Sequence, residues 1–260
     1  MKHPPPESPL LRADEPPAFT ISRERGASSA FITCDHASSR IPRALEDLGL
    51  PEDVRLDHVG WDIGAARLSR SMSDTLDATL VESGYSRLVI DANRPLDVAS
   101  SIPAVTCGIV VPGNRGVGPA ARAARAEACF HPYHGAIGKL LDERASKRPT
   151  VLLAVHSFTP VMQDVARPWH VGVMYGRDRR LASLFLDVLA TEGDLVVGDN
   201  QPYQVTDGTD YTIPHHGERR GILSVLIEVR NDLLRDDASI DRISRLLTRA
   251  YARVEERLTF

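Results

Sequence analysis

Two histidines stand at the ends of segments that are predicted to be buried strands. His36 comes two residues after AFITC, and His156 directly follows VLLAV. Neutral imidazole is the commonest protein ligand for metal ions. Although 120 residues separate the two histidines along the chain, the carboxyl ends of parallel strands meet at one edge of a sheet, so both can reach one crevice. We therefore predict a metal site that contains His36 and His156, against the alternative that each only packs or lies exposed.

A metal site of this kind also needs an acidic ligand, and the sequence offers two candidates. Asp62 lies in HVGWDIGAARL, and Asp35 precedes His36. Neighbouring side chains of an extended chain point to opposite sides, so Asp35 is expected to point away from a metal that His36 binds. Asp62 is thus the preferred third ligand, with a role as a helix cap for IGAARLSRSM as the alternative.

Glu228 is a carboxylate inside the apolar run ILSVLIEV, which spans residues 222–229. Burial and a nearby cation can bring the pKa of such a group close to the working pH of an enzyme, as a general base requires. The alternative is a buried ion pair with an arginine. Arg230, which follows Glu228 by two residues, is a candidate contact for a substrate.

The segment SRLVIDANRP gathers four polar side chains around one predicted strand: Arg87, Asp91, Asn93 and Arg94. An arginine fork beside an asparagine amide can hold a carboxylate through parallel hydrogen bonds. We predict a carboxylate-binding site there, although Asp91 and Arg94 can instead pair with each other.

Short apolar runs alternate with longer amphipathic segments, which is typical of a mostly parallel sheet with helices above and below it. Apolar stripes predict helices around residues 63–76, 181–189 and 240–258, and a further helix is expected over 119–130. Strands are predicted at residues 30–34, 78–83, 87–91, 151–155, 170–175, 195–198 and 222–229.

The composition is that of an ordinary globular protein: 260 residues, 42% hydrophobic and 25% charged, with a formal net charge of -4. We expect a Pro-rich, loosely packed arm over residues 1–19 and one catalytic α/β domain over residues 20–260. Charges form no blocks, so neither nucleic acid nor a membrane is predicted as a partner. Three scattered cysteines favour reduced thiols and a cytoplasmic location. The oligomeric state cannot be predicted.

Seven motifs between about Phe31 and Leu234 resemble, in order and spacing, the N-formylglutamate amidohydrolase family. They are CDHASSRIP, HVGWDIGAARL, YSRLVIDANRP, HSFTP, RPWHVGVMY, NQPY and IEVRNDLL. That family is similar in turn to zinc carboxypeptidases and aspartoacylases. The resemblance implies a three-layer αβα sandwich with a mixed, mostly parallel sheet, of the phosphorylase/hydrolase-like type. It also implies zinc-dependent hydrolysis of the amide bond of a small N-acyl amino acid.

The resemblance further implies roles for individual residues. His36 and His156 would bind zinc, Glu228 would deprotonate the attacking water, and Asn93 with Arg94 would hold the α-carboxylate of the substrate. Arg87 would stabilise the oxyanion, and Ser157 would help to form the pocket wall. Ser39 stands where zinc carboxypeptidases carry a glutamate ligand, which leaves the third ligand open between Asp62 and Asp35.

Two other functions are consistent with the sequence. Cys34, two residues before His36, can be the nucleophile of a metal-free hydrolase. A chain that kept the fold and the arginines while its metal site decayed would be a non-catalytic protein that binds acyl amino acids.

Overall fold

A computed structural model describes residues 10–258, which contain one large sheet, two small hairpins and helices on both faces of the large sheet. The strands are β1 (Phe19–Ser22), β2 (Ala30–Cys34), β3 (Thr79–Ser83), β4 (Val105–Thr106), β5 (Ile109–Val110), β6 (Val151–Phe158), β7 (Val161–Met162), β8 (Val165–Ala166), β9 (Val171–Met174), β10 (Val197–Asp199) and β11 (Leu223–Arg230). The α-helices are α1 (Glu52–Arg55), α2 (Ala65–Leu76), α3 (Pro119–Arg125), α4 (His131–Ala145), α5 (Arg180–Leu189) and α6 (Asp237–Glu255). Two π-helical turns are Ala126–Phe130, which joins α3 to α4, and Ile213–Gly217.

The large sheet has the strand order β1-β3-β2-β6-β11-β9-β10. Strands β3, β2, β6 and β11 are parallel to one another, whereas β1 and the β9–β10 pair run in the opposite direction. The four central strands are almost entirely buried and rich in Val, Ile and Leu, as strands covered on both faces are. Their carboxyl ends therefore lie at one edge of the sheet.

Helices cover both faces of this sheet. Helices α2, α5 and α6 pack with alternate residues of β2, β6 and β11, such as Ile32, Leu153 and Ile227, in the largest apolar cluster. Helix α4 packs on the other face through Tyr133 and Ile137. The prediction of a three-layer αβα sandwich with a mixed, mostly parallel sheet is confirmed. Among residues 10–258, no helix combines the length and the apolar character that crossing a membrane requires.

The predicted strand at residues 87–91 is wrong, because residues 87–89 form a turn and residues 90 and 91 have no regular secondary structure. The hydroxyl of Ser86 accepts a hydrogen bond from the Leu88 amide, and the Ser86 carbonyl accepts one from Val89, which closes the turn. Leu88 and Val89 are apolar because they fill two separate small clusters rather than two faces of a sheet. The other six predicted strands coincide with strands of the large sheet.

Residues 1–9 of the predicted arm lie outside the described residues. In the rest of the arm, the Tyr85 hydroxyl donates to the carbonyl of Pro16 at 2.7 Å, and the Arg43 amide donates to the carboxylate of Glu15 at 2.8 Å. Strand β1 begins at Phe19, inside the range predicted for the arm, and pairs with β3. Residues 10–19 thus have defined contacts with the body of the protein.

Candidate active site

The candidate site lies where the carboxyl ends of β2, β6 and β11 meet. His36 lies in the turn after β2, while β6 continues through His156 to Phe158 and β11 continues through Glu228 to Arg230. His156 and Glu228 are Cα partners in the parallel pairing of β6 with β11, so their side chains project from the same face. The edge of the sheet thus brings together three residues that were predicted from separate motifs.

Both imidazole rings are fixed by buried carboxylates. His36 donates its Nε2–H to Asp91 at 2.7 Å, and His156 donates its Nε2–H to Asp35 at 3.0 Å. Since a carboxylate only accepts hydrogen bonds, these contacts select the tautomer that carries its proton on Nε2. In the neutral form of each ring the lone pair is then on Nδ1, whereas a protonated ring donates from both nitrogens.

These two Nδ1 atoms converge on a third acceptor. The Oδ2 atom of Asp62 lies 3.3 Å from His36 Nδ1 and 2.9 Å from His156 Nδ1. Two imidazole lone pairs and a carboxylate oxygen, all within 4.8 Å of one another, repel each other unless a cation or extra protons lie between them. We call these three atoms the donor set. A metal ion fits them by donor type and by their mutual approach.

The charge of the surrounding groups also fits a divalent cation. With neutral imidazoles, the buried carboxylates of Asp35, Asp62 and Asp91 are balanced by one guanidinium, that of Arg87, which leaves two negative charges. Burial would raise the pKa of Asp62, but His36 and His156 outweigh burial and lower it. Burial lowers the pKa of His156, whereas its hydrogen bonds to Asp35 and Asp62 raise it well above the usual value. The cluster thus favours positive charge at the donor set.

Asp62 reaches the donor set from the loop that precedes α2. Its backbone amide donates to the His36 carbonyl at 3.0 Å, and its Oδ2 also accepts from the Ser157 amide at 3.3 Å. The N-cap residue of α2 is Gly64, which has a φ of +83°, and no side chain caps this end of the helix. The alternative role of Asp62 as a helix cap is therefore wrong, and the group of described residues that could hold a metal ion contains Asp62 and not Asp35.

Asp35 instead orients the ring of His156 through its Nε2 atom. One of its oxygens accepts from the Tyr133 hydroxyl at 2.7 Å and from the Thr212 hydroxyl at 2.9 Å, and the other accepts from His156. Burial opposes ionisation of Asp35, but these interactions with histidine lower its pKa to about 2. Tyr133 and Thr212 carry no motif in the sequence, so only the fold identifies them.

Arg87 holds carboxylates of the protein itself. Its Nε and Nη2 atoms donate to one oxygen of Asp91 at 3.1 and 2.8 Å, and its Nη1 lies 3.4 Å from Asp62. Arg87 thus positions the acid that orients His36. Arg87 still lines the cavity. Its three donor atoms face oxygens of the protein, so these contacts do not favour the predicted role of Arg87 at the oxyanion.

Asn93 fastens the segment around residues 206–212 to the site. Its Oδ1 accepts from the amides of Tyr211 and Thr212, both at 3.0 Å, and its Nδ2 donates to Asp210 at 3.0 Å. Arg94 lines the cavity, donates to the Thr209 carbonyl and lies 3.9 Å from Asp210. Arg94 therefore retains more capacity for an anionic ligand than Asn93 does.

Of the other two predicted substrate contacts, one lines the cavity and one does not. The Ser157 hydroxyl donates to the Ile63 carbonyl at 2.9 Å, and Ser157 forms part of the cavity wall. Arg230 donates to Asp232 at 2.8 Å and to the carbonyls of Arg167 and Pro168. It is not among the residues that line the cavity.

Glu228 is the buried acid that lacks a compensating partner. It is 6% exposed, and its Oε2 has no hydrogen-bond partner within the described residues. Burial raises the pKa of its carboxyl to about 7. The alternative of a buried ion pair with an arginine is wrong, because no salt bridge involves Glu228 in the described part of the chain. A carboxyl with this pKa can exchange a proton near neutral pH.

A cavity of about 400 Å³ connects these groups to solvent. His36, Asp62, His156 and Glu228 line one side of it, and Arg94 lies on its wall. This volume is in the usual range for a site that binds a small molecule.

Cys34 lies outside the cavity wall. It is 0% exposed and packs against Ala65 and Ala66 of α2, and burial raises the pKa of its thiol well above the usual value. A nucleophilic thiol needs the opposite shift together with access for the substrate. The geometry therefore gives no support to the alternative of a cysteine hydrolase.

Comparison with known proteins gives one family and several relatives. The family model "N-formylglutamate amidohydrolase" matches residues 28–235. An N-formylglutamate deformylase of Pseudomonas putida is 28% identical over 172 residues, which cover 60% of this chain and 63% of that protein. The match thus spans less than two thirds of the length of this curated relative.

Two solved structures share the fold. A gene product from Agrobacterium tumefaciens is 33% identical, with a TM-score of 0.92 over 95% of this chain and 98% of its own. An N-formylglutamate amidohydrolase from Ralstonia eutropha is 20% identical, with a TM-score of 0.67 over 93% of this chain and 99% of its own. At that identity the second structure is similar in fold alone.

A second pair of histidines is buried behind the site. His134 of α4 donates its Nε2–H to the Ala92 carbonyl at 2.7 Å, and its Nδ1 lies 3.0 Å from Nε2 of His216. Burial lowers the pKa of His134 to about 4 and that of His216 to about 2. Both rings are therefore neutral near pH 7 and support the backbone between Asp91 and Asn93. His131, three residues before His134 on α4, is exposed beside Glu127 and takes no part in this buried pair.

We predict that acid weakens the fold through this pair. The unfolded chain takes up protons on both histidines below pH 6.5, whereas the folded chain does not, so the free energy of unfolding must fall as the pH falls toward 4. Between pH 7.5 and 5.0 each ring contributes a loss of about 2 kcal/mol. In urea denaturation, the free energy of unfolding of His216→Gln should fall by about 2 kcal/mol less than that of the wild type between pH 7.5 and 5.0. His131→Gln, at an exposed position, should lose as much as the wild type. Equal losses in all three proteins would contradict the assignment.

Proposed function

The chain belongs to the N-formylglutamate amidohydrolase family, a family of hydrolases that act on carbon–nitrogen bonds, and we propose that it is a zinc-dependent enzyme that cleaves the amide bond of a small N-acyl amino acid. The observation that carries this proposal is the convergence of His36 Nδ1, His156 Nδ1 and Asp62 Oδ2 beside the unpartnered carboxyl of Glu228. N-formylglutamate, on which the Pseudomonas putida relative acts by its name, is the reference substrate.

Zinc is the metal that this donor set fits best. Two imidazoles and one carboxylate, with a further position free, are a common ligand combination of catalytic zinc sites. We propose His36, His156 and Asp62 as the ligands, with Asp91 and Asp35 as the carboxylates that orient the two rings. When bound, the ion would polarise a carbonyl and make a water molecule more acidic.

Glu228 is proposed as the general base. Its side chain projects beside His156, and a pKa of about 7 leaves a useful fraction ionised at neutral pH. The carboxylate takes a proton from the attacking water while the water oxygen bonds to the carbonyl carbon. Glu228 then returns that proton to the amine nitrogen as the carbon–nitrogen bond breaks. The products are a carboxylate and a free amino acid.

Arg94 is proposed to orient the substrate. Its guanidinium lines the cavity, and it can pair with the α-carboxylate of an acyl amino acid. Asn93 supports it indirectly, because its amide ties the neighbouring segment around residues 209–212 in place. Ser157 acts through Asp62, to which its amide donates.

The partner that we propose is therefore a small molecule, and we place the protein in the cytoplasm. The latter rests on the cysteines: Cys34, Cys107 and Cys129 are all free, and Cys107 is exposed. Exposed thiols persist where the compartment is reducing.

We predict that the purified protein binds one zinc ion per chain. His156→Ala should reduce bound zinc to about a tenth of that or less, because it removes one of three ligands. Asp62→Asn, which keeps the shape of the side chain, should also weaken binding. Elemental analysis measures the zinc content of both variants, and circular dichroism checks that they fold. His131→Ala, at an exposed position, is the matched control and should keep the wild-type zinc content. Full zinc content in His156→Ala would rule out this ligand set.

We also predict that Glu228→Gln separates metal binding from turnover. The amide cannot accept the proton of the attacking water, so kcat with N-formyl amino acids should fall by about 10²–10⁴-fold. The zinc content should stay at the wild-type level, and Glu127→Gln, an exposed change of the same type, should keep full activity. Wild-type protein that binds acyl amino acids and zinc without hydrolysing them would support the non-catalytic alternative instead.

A further inference from the structure

The cavity beside the donor set has a floor that consists of core residues. Leu226 precedes Glu228 by two residues on β11 and projects from the same face, and its Cα partner on β9 is Met174. Val205 joins them from the loop after β10. All three line the cavity and belong to one buried apolar cluster, and none is more than 7% exposed. We call Met174, Val205 and Leu226 the apolar floor.

The apolar floor is preformed, because it belongs to the packed interior between the sheet and α4. The same cluster includes Ala154 of β6 and Tyr133 and Ile137 of α4. Close-packed side chains of this kind cannot turn aside to admit a charged group without loss of packing. The floor therefore favours an apolar group of the ligand over a charged one.

Few basic side chains line the cavity in the described part of the chain. The arginines among the lining residues are Arg87 and Arg94, and the histidine besides the two of the donor set is His58. The guanidinium of Arg87 is engaged with Asp91 and Asp62, and the Nδ1 atom of His58 lies 3.1 Å from the carboxylate of Asp57. Arg94 alone combines a place on the wall with a distant acidic partner, Asp210 at 3.9 Å. The cavity thus supplies one cation for one substrate carboxylate.

The acidic groups of the cavity wall also disfavour a second substrate carboxylate. Asp62, Asp210 and Glu228 line the cavity, and a second substrate carboxylate would lie near them or against the apolar floor. Either place desolvates an anion without an opposite charge, which is costly. Glutamate carries two carboxylates in an N-acyl derivative, whereas methionine and leucine carry one.

We infer that this site selects N-acyl amino acids with an uncharged, apolar side chain of about methionine or leucine size over N-acyl derivatives of glutamate or aspartate. The α-carboxylate pairs with Arg94, the acyl carbonyl faces the donor set, and the side chain packs on the apolar floor. The inference rests on the proposed amide hydrolysis and names the substrate class for the same site.

The direct test compares N-formylmethionine with N-formylglutamate as substrates of the zinc-loaded wild-type protein. We expect kcat/KM to be at least about tenfold higher for N-formylmethionine, because its side chain needs no cation. Calorimetric titration of Glu228→Gln with both compounds should give the same order of Kd values without turnover. This titration underestimates the preference of the wild type, because Glu228→Gln removes a negative charge that would repel the side-chain carboxylate of N-formylglutamate.

A variant pair tests the cause of the preference. Val205→Lys places a cation at the apolar floor and should raise kcat/KM for N-formylglutamate relative to N-formylmethionine by about tenfold or more. Val205→Met changes size without charge and should not raise kcat/KM for N-formylglutamate relative to N-formylmethionine. Zinc content and circular dichroism verify that both variants fold.

The outcomes are distinguishable. Equal or better hydrolysis of N-formylglutamate by the wild type would overturn the inferred selectivity and leave the proposed hydrolysis intact. If zinc-loaded wild type hydrolyses neither compound, the proposed function fails and the inference fails with it. A preference for N-formylmethionine that Val205→Lys reverses supports both.

Discussion

The site depends on one arrangement: two imidazoles that each donate Nε2–H to a buried carboxylate, so that their Nδ1 atoms meet at Asp62. The contacts of His36 with Asp91 and of His156 with Asp35 are 2.7 and 3.0 Å long, in a region almost closed to solvent. Unpaired buried charges are costly, so each carboxylate must be compensated. Much of the surrounding structure provides that compensation: Arg87 pairs with Asp91, and Tyr133 and Thr212 donate to Asp35.

The fold supplies this arrangement from the sheet edge, from helix α4 and from the loop that precedes α2. Strands β2, β6 and β11 deliver His36, His156 and Glu228 to one edge, α4 contributes Tyr133, and the turn after β3 contributes Arg87 and Asp91. The buried pair His134 and His216 holds the carbonyl of Ala92 between Asp91 and Asn93. A change in any of these elements is therefore expected to alter the position of the donor set before it alters the donors themselves.

The sequence is informative where a polar residue lies within or just after a strongly apolar segment. We predict that His36 and His156 share one site because both follow such segments, and Glu228 is a candidate base because it lies inside one. The alternation of side chains in an extended chain favours Asp62 over Asp35. Prediction failed where burial arises without regular structure: Leu88 and Val89 are apolar but occupy a turn. It was also incomplete for groups whose partners are distant in sequence. The contact of Asn93 with residues 210–212 spans more than 115 positions, and neither residue type nor spacing indicates it.

The most direct test of the central claim is anomalous diffraction at the zinc absorption edge from crystals of the zinc-loaded protein. The account predicts one strong peak bonded to Nδ1 of His36, Nδ1 of His156 and the carboxylate of Asp62, at the zinc–nitrogen and zinc–oxygen distances of about 2.0–2.2 Å that such sites have. A peak bonded to the Nε2 atoms, or zinc at the pair His134 and His216 with the donor set left free, would contradict it.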